Sequence, residues 1–200
     1  MCTLCCITQV LTAAAGWLRC ENADVGTRLA AAAVLTESLP LAGANFAQPR
    51  ERDVLMWMLG HMASSPAPPL RRLGFEGLAE ACMLHAAALG SQMGTVAELF
   101  AGALRSGPPD AVAAAVDALR DICEEDAEAR RAELPHCHTL ASQQLAAPVL
   151  PHLLPHLRPE SRECLEEADE DLAAAVAECL GALAGAVGDE VLAAVQPFAQ

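Results

Sequence analysis

The chain has 200 residues, 54% hydrophobic and only 3% aromatic, and carries a formal net charge of −14. Such a charge repels phosphate backbones and anionic bilayer surfaces, which argues against nucleic acid as a ligand and favours basic partners or plain solubility. Nine cysteines, an odd number set mostly in apolar runs, argue against a secreted disulfide framework and for a reducing compartment.

Residues 4–18 read as a first helix. Ala13, Ala14 and Ala15 could imitate a cleavage site, but no basic stretch precedes the apolar run, and a buried helix is favoured over a leader. Asp24 is a candidate N-cap for a second helix, which ends before Pro40. Residues 41–49 read as a loop. Residues 50–62 form a third helix, because Val54, Leu55, Met58, Leu59 and Met62 make one apolar stripe. A proline-rich turn at 64–69 leads into the longest helix, 70–89, with Gly90 just past its end.

Residues 95–104 are a short helix, broken at Ser106, Gly107, Pro108 and Pro109. Asp110 is expected to cap the next. Val112, Ala115, Val116, Leu119, Ile122 and Cys123 then fall on one helical face. Residues 124–139 break the pattern and read as an insertion or irregular linker. Residues 140–157 resume as an apolar helix that Pro148, Pro151 and Pro155 must break or kink. An acidic linker at 158–170 precedes a strong helix at 172–187 and a last short one at 191–198.

Four stretches are variations on one helix: 26–37, 69–80, 110–121 and 171–182. The first three start about 40 residues apart, the period of a helical solenoid. Each helix pair in a solenoid buries its apolar face only by stacking on the next. The expected fold is all-α, a right-handed α-α superhelix of HEAT or armadillo type with about five helix pairs. Residues 1–200 are expected to form a single domain. Neither end carries the charge of a capping repeat, so the chain is expected to belong to a longer protein, to have covered ends or to self-associate.

Residues 28–39, 55–62, 70–78 and 112–122 resemble HEAT-repeat proteins, within them most closely the maestro heat-like family. Residues 117–125, 151–157 and 166–183 resemble the HEAT repeats of karyopherin-β proteins, the importins and transportins, about equally well. Both resemblances imply a protein-binding scaffold without catalytic residues, and the reducing compartment read from the cysteines makes the expected location cytoplasmic. The karyopherin resemblance adds shuttling between nucleus and cytoplasm, and basic cargo or a small GTPase as partner. It also makes the acidic run the candidate contact with a basic segment, through Glu163, Glu166, Glu167, Asp169, Glu170 and Asp171. Against that, carboxylates ahead of Leu172 stabilise a helix N-terminus with no partner at all.

The other constellations are weaker. Cys2, Cys5 and Cys6 have metal-like spacing, but His136, Cys137 and His138 would have to meet them from far along the solenoid. His152 and His156 lie at i, i+4 with no glutamate between them and a proline beside each. His61 and His85 read as packed or surface residues. There is no phosphate-binding glycine loop and no nucleophile elbow. Neither a metal nor a cofactor is expected, and the protein is not expected to be an enzyme.

Overall fold

The computed structural model describes residues 3–20, 22–132, 141–157, 167–188 and 191. Among these are nine α-helices and no strand: α1 Thr3–Arg19, α2 Val25–Ser38, α3 Gly43–Ala47, α4 Pro49–Ala63, α5 Pro68–Leu89, α6 Gln92–Ser106, α7 Pro109–Arg131, α8 Ala141–Leu153 and α9 Glu167–Val187. The all-α, paired-helix architecture expected from the 3.6-residue stripes is the one observed. No described helix is long and apolar enough to cross a membrane. The helices pack as two compact units, residues 1–92 and 93–200.

In the first unit α1 packs on α2, α4 packs on α5, and the second helices of the two pairs, α2 and α5, pack on each other. This is the neighbour-on-neighbour burial a repeat array requires. Asp24 caps α2 as expected: its Oδ1 accepts from the Thr27 amide at 3.0 Å and its Oδ2 from the Thr27 hydroxyl at 2.6 Å. These bonds hold its carboxyl below the usual range, the hydroxyl bond having the larger effect. Two glycines let α5 approach α4. A Cβ at Gly74 would fall onto the Ala63 backbone nitrogen, and one at Gly77 would stand 2.5 Å from Leu59 Cδ2.

The loop expected at 41–49 is structured. A 3-10 turn at Leu39–Leu41, with Pro40 in its first turn, runs into the five-residue α3, which buries Asn45 and Phe46. Phe46 stacks on His85, with ring centroids 4.1 Å apart. His85 Nε2 lies 3.1 Å from the Leu39 carbonyl oxygen. The backbone of α5 leaves helical geometry at His85, so its last turn bends away, and Gly90 closes it at positive φ.

In the second unit α7 packs on α8 and α9, and α8 on α9. Asp110 does not cap α7. Pro108 occupies the cap position, Pro109 the first turn, and Asp110 follows inside the helix. A proline is suited to that first turn because it lacks the N–H left unpaired there. The expected face of α7 is buried throughout, from Val112 to Cys123. The helix then runs on through 124–131, the front of the stretch expected to be irregular. Its buried stripe continues at Asp126 and Ala127. A buried carboxylate hid that continuation: Asp126 Oδ2 accepts from the Ser142 amide at 2.8 Å, in the first turn of α8. The prolines of α8 act as expected, since the helix gives way to a 3-10 turn at Leu154–Leu157. His156 Nε2 in that turn lies 2.8 Å from the Leu104 carbonyl oxygen of α6.

Candidate protein-binding sites

The first unit carries a groove of about 530 Å³ between α1, α3 and α4. α1 packs along α2 and α4 along α5, which leaves facing sides of α1 and α4 open to each other across Asn45. The walls are mostly apolar: Leu11 and Ala15 from α1, and Val54, Leu55 and Met58 from α4. Val54 belongs to the apolar stripe of its helix yet is 41% exposed, because it faces the groove instead of α5. At one end Asn45 Nδ2 donates to Glu51 Oε2 at 2.6 Å and to Thr8 Oγ1 at 3.1 Å, tying all three helices together. The Arg19 guanidinium, which also lines the groove, lies 4.9 Å over the Trp57 ring. That ring in turn stacks on His61 at 5.3 Å, within 7° of parallel. Arg19, Arg50 and Glu51 are the charged side chains around the groove. It is therefore close to neutral on a strongly acidic chain.

The second unit presents carboxylates along α7 and α9. Arg120 Nη2 lies 3.4 Å from Asp117 and 3.7 Å from Asp121, its Nε 4.0 Å from Glu124, and its Nη1 3.6 Å from Glu178 across on α9. One guanidinium serves four carboxylates, each more than half exposed, so the face keeps a net negative charge. Exposed pairs of this kind add little stability. Beside them runs a shallow groove of about 480 Å³, lined by Glu124, Glu178 and Arg131 together with Ala127, Gly181, Ala182 and Gly185. Cys123 of α7 and Cys179 of α9 are buried thiols. Burial, more than the neighbouring acids, pushes the Cys123 thiol far up and that of Cys179 to about 12. Both stay protonated and inert at neutral pH.

Of the residues picked out in the acidic run, Glu163 and Glu166 lie outside the described residues. Glu167, Asp169 and Glu170 fall in the first turn of α9, where their backbone alone is described. Asp171 is exposed on the same helix. Of the metal-like set, Cys2, His136, Cys137 and His138 lie outside the described residues. No group of three or more metal-ligating side chains occurs among those described. Cys82, Cys123 and Cys179 are buried and form no disulfide, Cys20 is partly exposed, and Cys164 lies outside the described residues. Sequence reasoning missed the α1–α4 groove. Its traces were the off-core Val54 and Asn45, a polar residue beside the buried Phe46.

No family model matches the chain. Importin subunit beta-1 of Arabidopsis thaliana is 28% identical to it over 96% of its length. The chain is similar to importin-β. It spans 23% of that relative. Among solved structures, yeast importin-β (Kap95p) with RanGDP superposes with a TM-score of 0.77 at 20% identity, covering 95% of this chain and 23% of that one. The Kap95:Nup1 complex gives 0.78 at 19%, covering 98% and 24%. At these identities the structures establish the fold, the HEAT-type α-solenoid of the importin-β chains. The comparisons support the karyopherin side of the earlier resemblance. The maestro heat-like side draws no support from them.

Proposed function

We propose that the chain is a non-catalytic protein-binding scaffold, a stretch of HEAT-type repeats running as one domain through both units. The similarity to importin-β over 96% of the chain carries this reading. Two surfaces supply its chemistry. The α1–α4 groove is open, apolar and near neutral, and takes an uncharged apolar segment of a partner. The acidic run from Glu163 to Asp171, with the carboxylates of α7 and α9, takes a basic segment. No residue is assigned a catalytic role.

A finer reading makes the chain a karyopherin-β-type transport module that shuttles between cytoplasm and nucleus. Kap95p, with which it shares its fold, is seen with RanGDP in one structure and with Nup1 in another. Under this reading a small GTPase or basic cargo is a partner.

The acidic surface is tested by titrating a fluorescent arginine- and lysine-rich peptide into the chain. Binding should weaken steeply with added salt, because the attraction is screened within about 8–10 Å at physiological ionic strength. Neutralising Glu163, Glu166, Glu167, Asp169, Glu170 and Asp171 to their amides should weaken it by about tenfold, or 1.4 kcal/mol. Binding unchanged by both would remove the basic partner from the account.

A further inference from the structure

We infer that the outward stripe of α1 is a contact for a second copy of this chain, the two α1 helices packing antiparallel about a two-fold axis.

α1 is apolar on two sides. Ile7, Leu11, Ala14 and Leu18, at i, i+4, i+7 and i+11, form the side turned into the fold, where α1 packs on α2. Leu11 and Ala14 are buried there. Cys6, Val10, Ala13 and Trp17 repeat the same spacing about a quarter of a turn round the helix. Val10 is 38% and Trp17 54% exposed. Ala13 is exposed and Cys6 half-buried. Thr8, Thr12, Ala15 and Arg19, which line the groove, lie on the far side of the helix, so the stripe is a separate surface. A helix that is apolar on every side belongs inside a structure, and tryptophan is enriched where proteins meet.

Charge and shape both point to a second copy as the occupant. The chain has 26 acidic residues, so two copies repel wherever their acidic surfaces face each other. None of the 26 lies in α1, whose sole charged residue is Arg19. Antiparallel pairing about the midpoint of the stripe then sets Trp17 over Cys6 of the second copy and Val10 over its Ala13. A large side chain meets a small one at each step, as close packing requires. Parallel pairing would set Trp17 on Trp17 and bring the two Arg19 side by side. Antiparallel pairing holds them about 20 Å apart, beyond the reach of their repulsion at physiological salt. The contact is isologous, so it closes at two copies. Four side chains bury less than the roughly 1,200 Å² of a standard interface, so the dimer is weak, with a dissociation constant on the order of 100 μM.

The test is sedimentation equilibrium of the 200-residue chain from about 5 to 500 μM, in reducing buffer so that no disulfide joins the copies. The apparent mass should rise with concentration from 20.8 kDa towards twice that. Trp17→Ser should weaken association by about tenfold or more, and Ala13→Arg, which sets a charge where the helices cross, should abolish it. Both side chains are exposed, so neither change should move the melting temperature by more than a degree or two. Leu41→Ser is the control, because Leu41 is 63% exposed but lies off α1. Under mild oxidation, a mixture of Val10→Cys and Ala13→Cys chains should cross-link position 10 of one copy to position 13 of the other. A monomer at every concentration would overturn the inference. So would association that survives both α1 variants, or that Leu41→Ser weakens as much. Cross-links joining only like positions would make the pairing parallel and overturn the arrangement.

Discussion

Gly74 shows how much can rest on one missing methyl group. A Cβ there would collide with the backbone of Ala63, and a backbone cannot swing aside as a side chain can. Gly74→Ala should therefore cost about 2–3 kcal/mol by overpacking, read as a fall in the urea midpoint at unchanged slope. Gly102→Ala is the control, since nothing lies within 4 Å of its added Cβ. Leu119 is 2% exposed on α7, so Leu119→Asp should cost roughly 3 kcal/mol or more by burying an unpaired charge. The thiols give a pH prediction. Ordinary thiols ionise near 9.0, while Cys179 in the folded chain ionises near 12 and Cys123 higher still. The unfolded chain thus loses these protons first. Their contribution to stability is whole below pH 9 and falls as pH rises toward 12, by up to about 1.4 kcal/mol per pH unit for each thiol. Denaturation midpoints from pH 8 to 11 should show the fall, and Cys123→Ala together with Cys179→Ala should flatten it.

Among the elements, α7 and α8 depend on a bond that periodicity hides. Asp126→Ala would leave the Ser142 amide without its acceptor, at about 1–3 kcal/mol, whereas Asp126→Asn keeps an acceptor and should cost less. Thermal melts of the two variants would separate the cap from the charge. The same residue explains the limits of the sequence reading. The helices were legible wherever the buried face was wholly apolar, as from Val112 to Cys123. The reading failed where a polar side chain was buried for a purpose. Asp126 made the end of α7 look like a linker, and Asn45 made α3 look like a loop. Asp110 misled in the other direction, because Pro108 and Pro109 had already started the helix. Of the candidate sites, the acidic character of the α9 start was plain from composition. The groove was not, because it exists only where α1, α3 and α4 meet, and stripe periodicity does not tell an apolar residue facing a groove from one facing the core. Val54→Asp should thus leave the melting temperature nearly unchanged, as befits a residue 41% exposed, while abolishing uptake of a capped, uncharged glycine–serine peptide with one central leucine.

For the molecule as a whole, the net charge of −14 is not spread evenly over its candidate surfaces. The groove of the first unit is near neutral, whereas the α7–α9 face sets four carboxylates against one arginine. Under the proposed function these two surfaces would take two kinds of segment by different physics, one through apolar burial and one through charge. Apolar burial is indifferent to moderate salt, and the attraction of exposed charges is not. The most direct test is calorimetric titration of the chain with the neutral leucine peptide and the basic peptide, separately and together, at low and high salt. The account predicts that both bind at once, that salt weakens only the basic peptide, and that Val54→Asp removes only the neutral one. Competition between the two peptides for one site, or binding of neither, would contradict it.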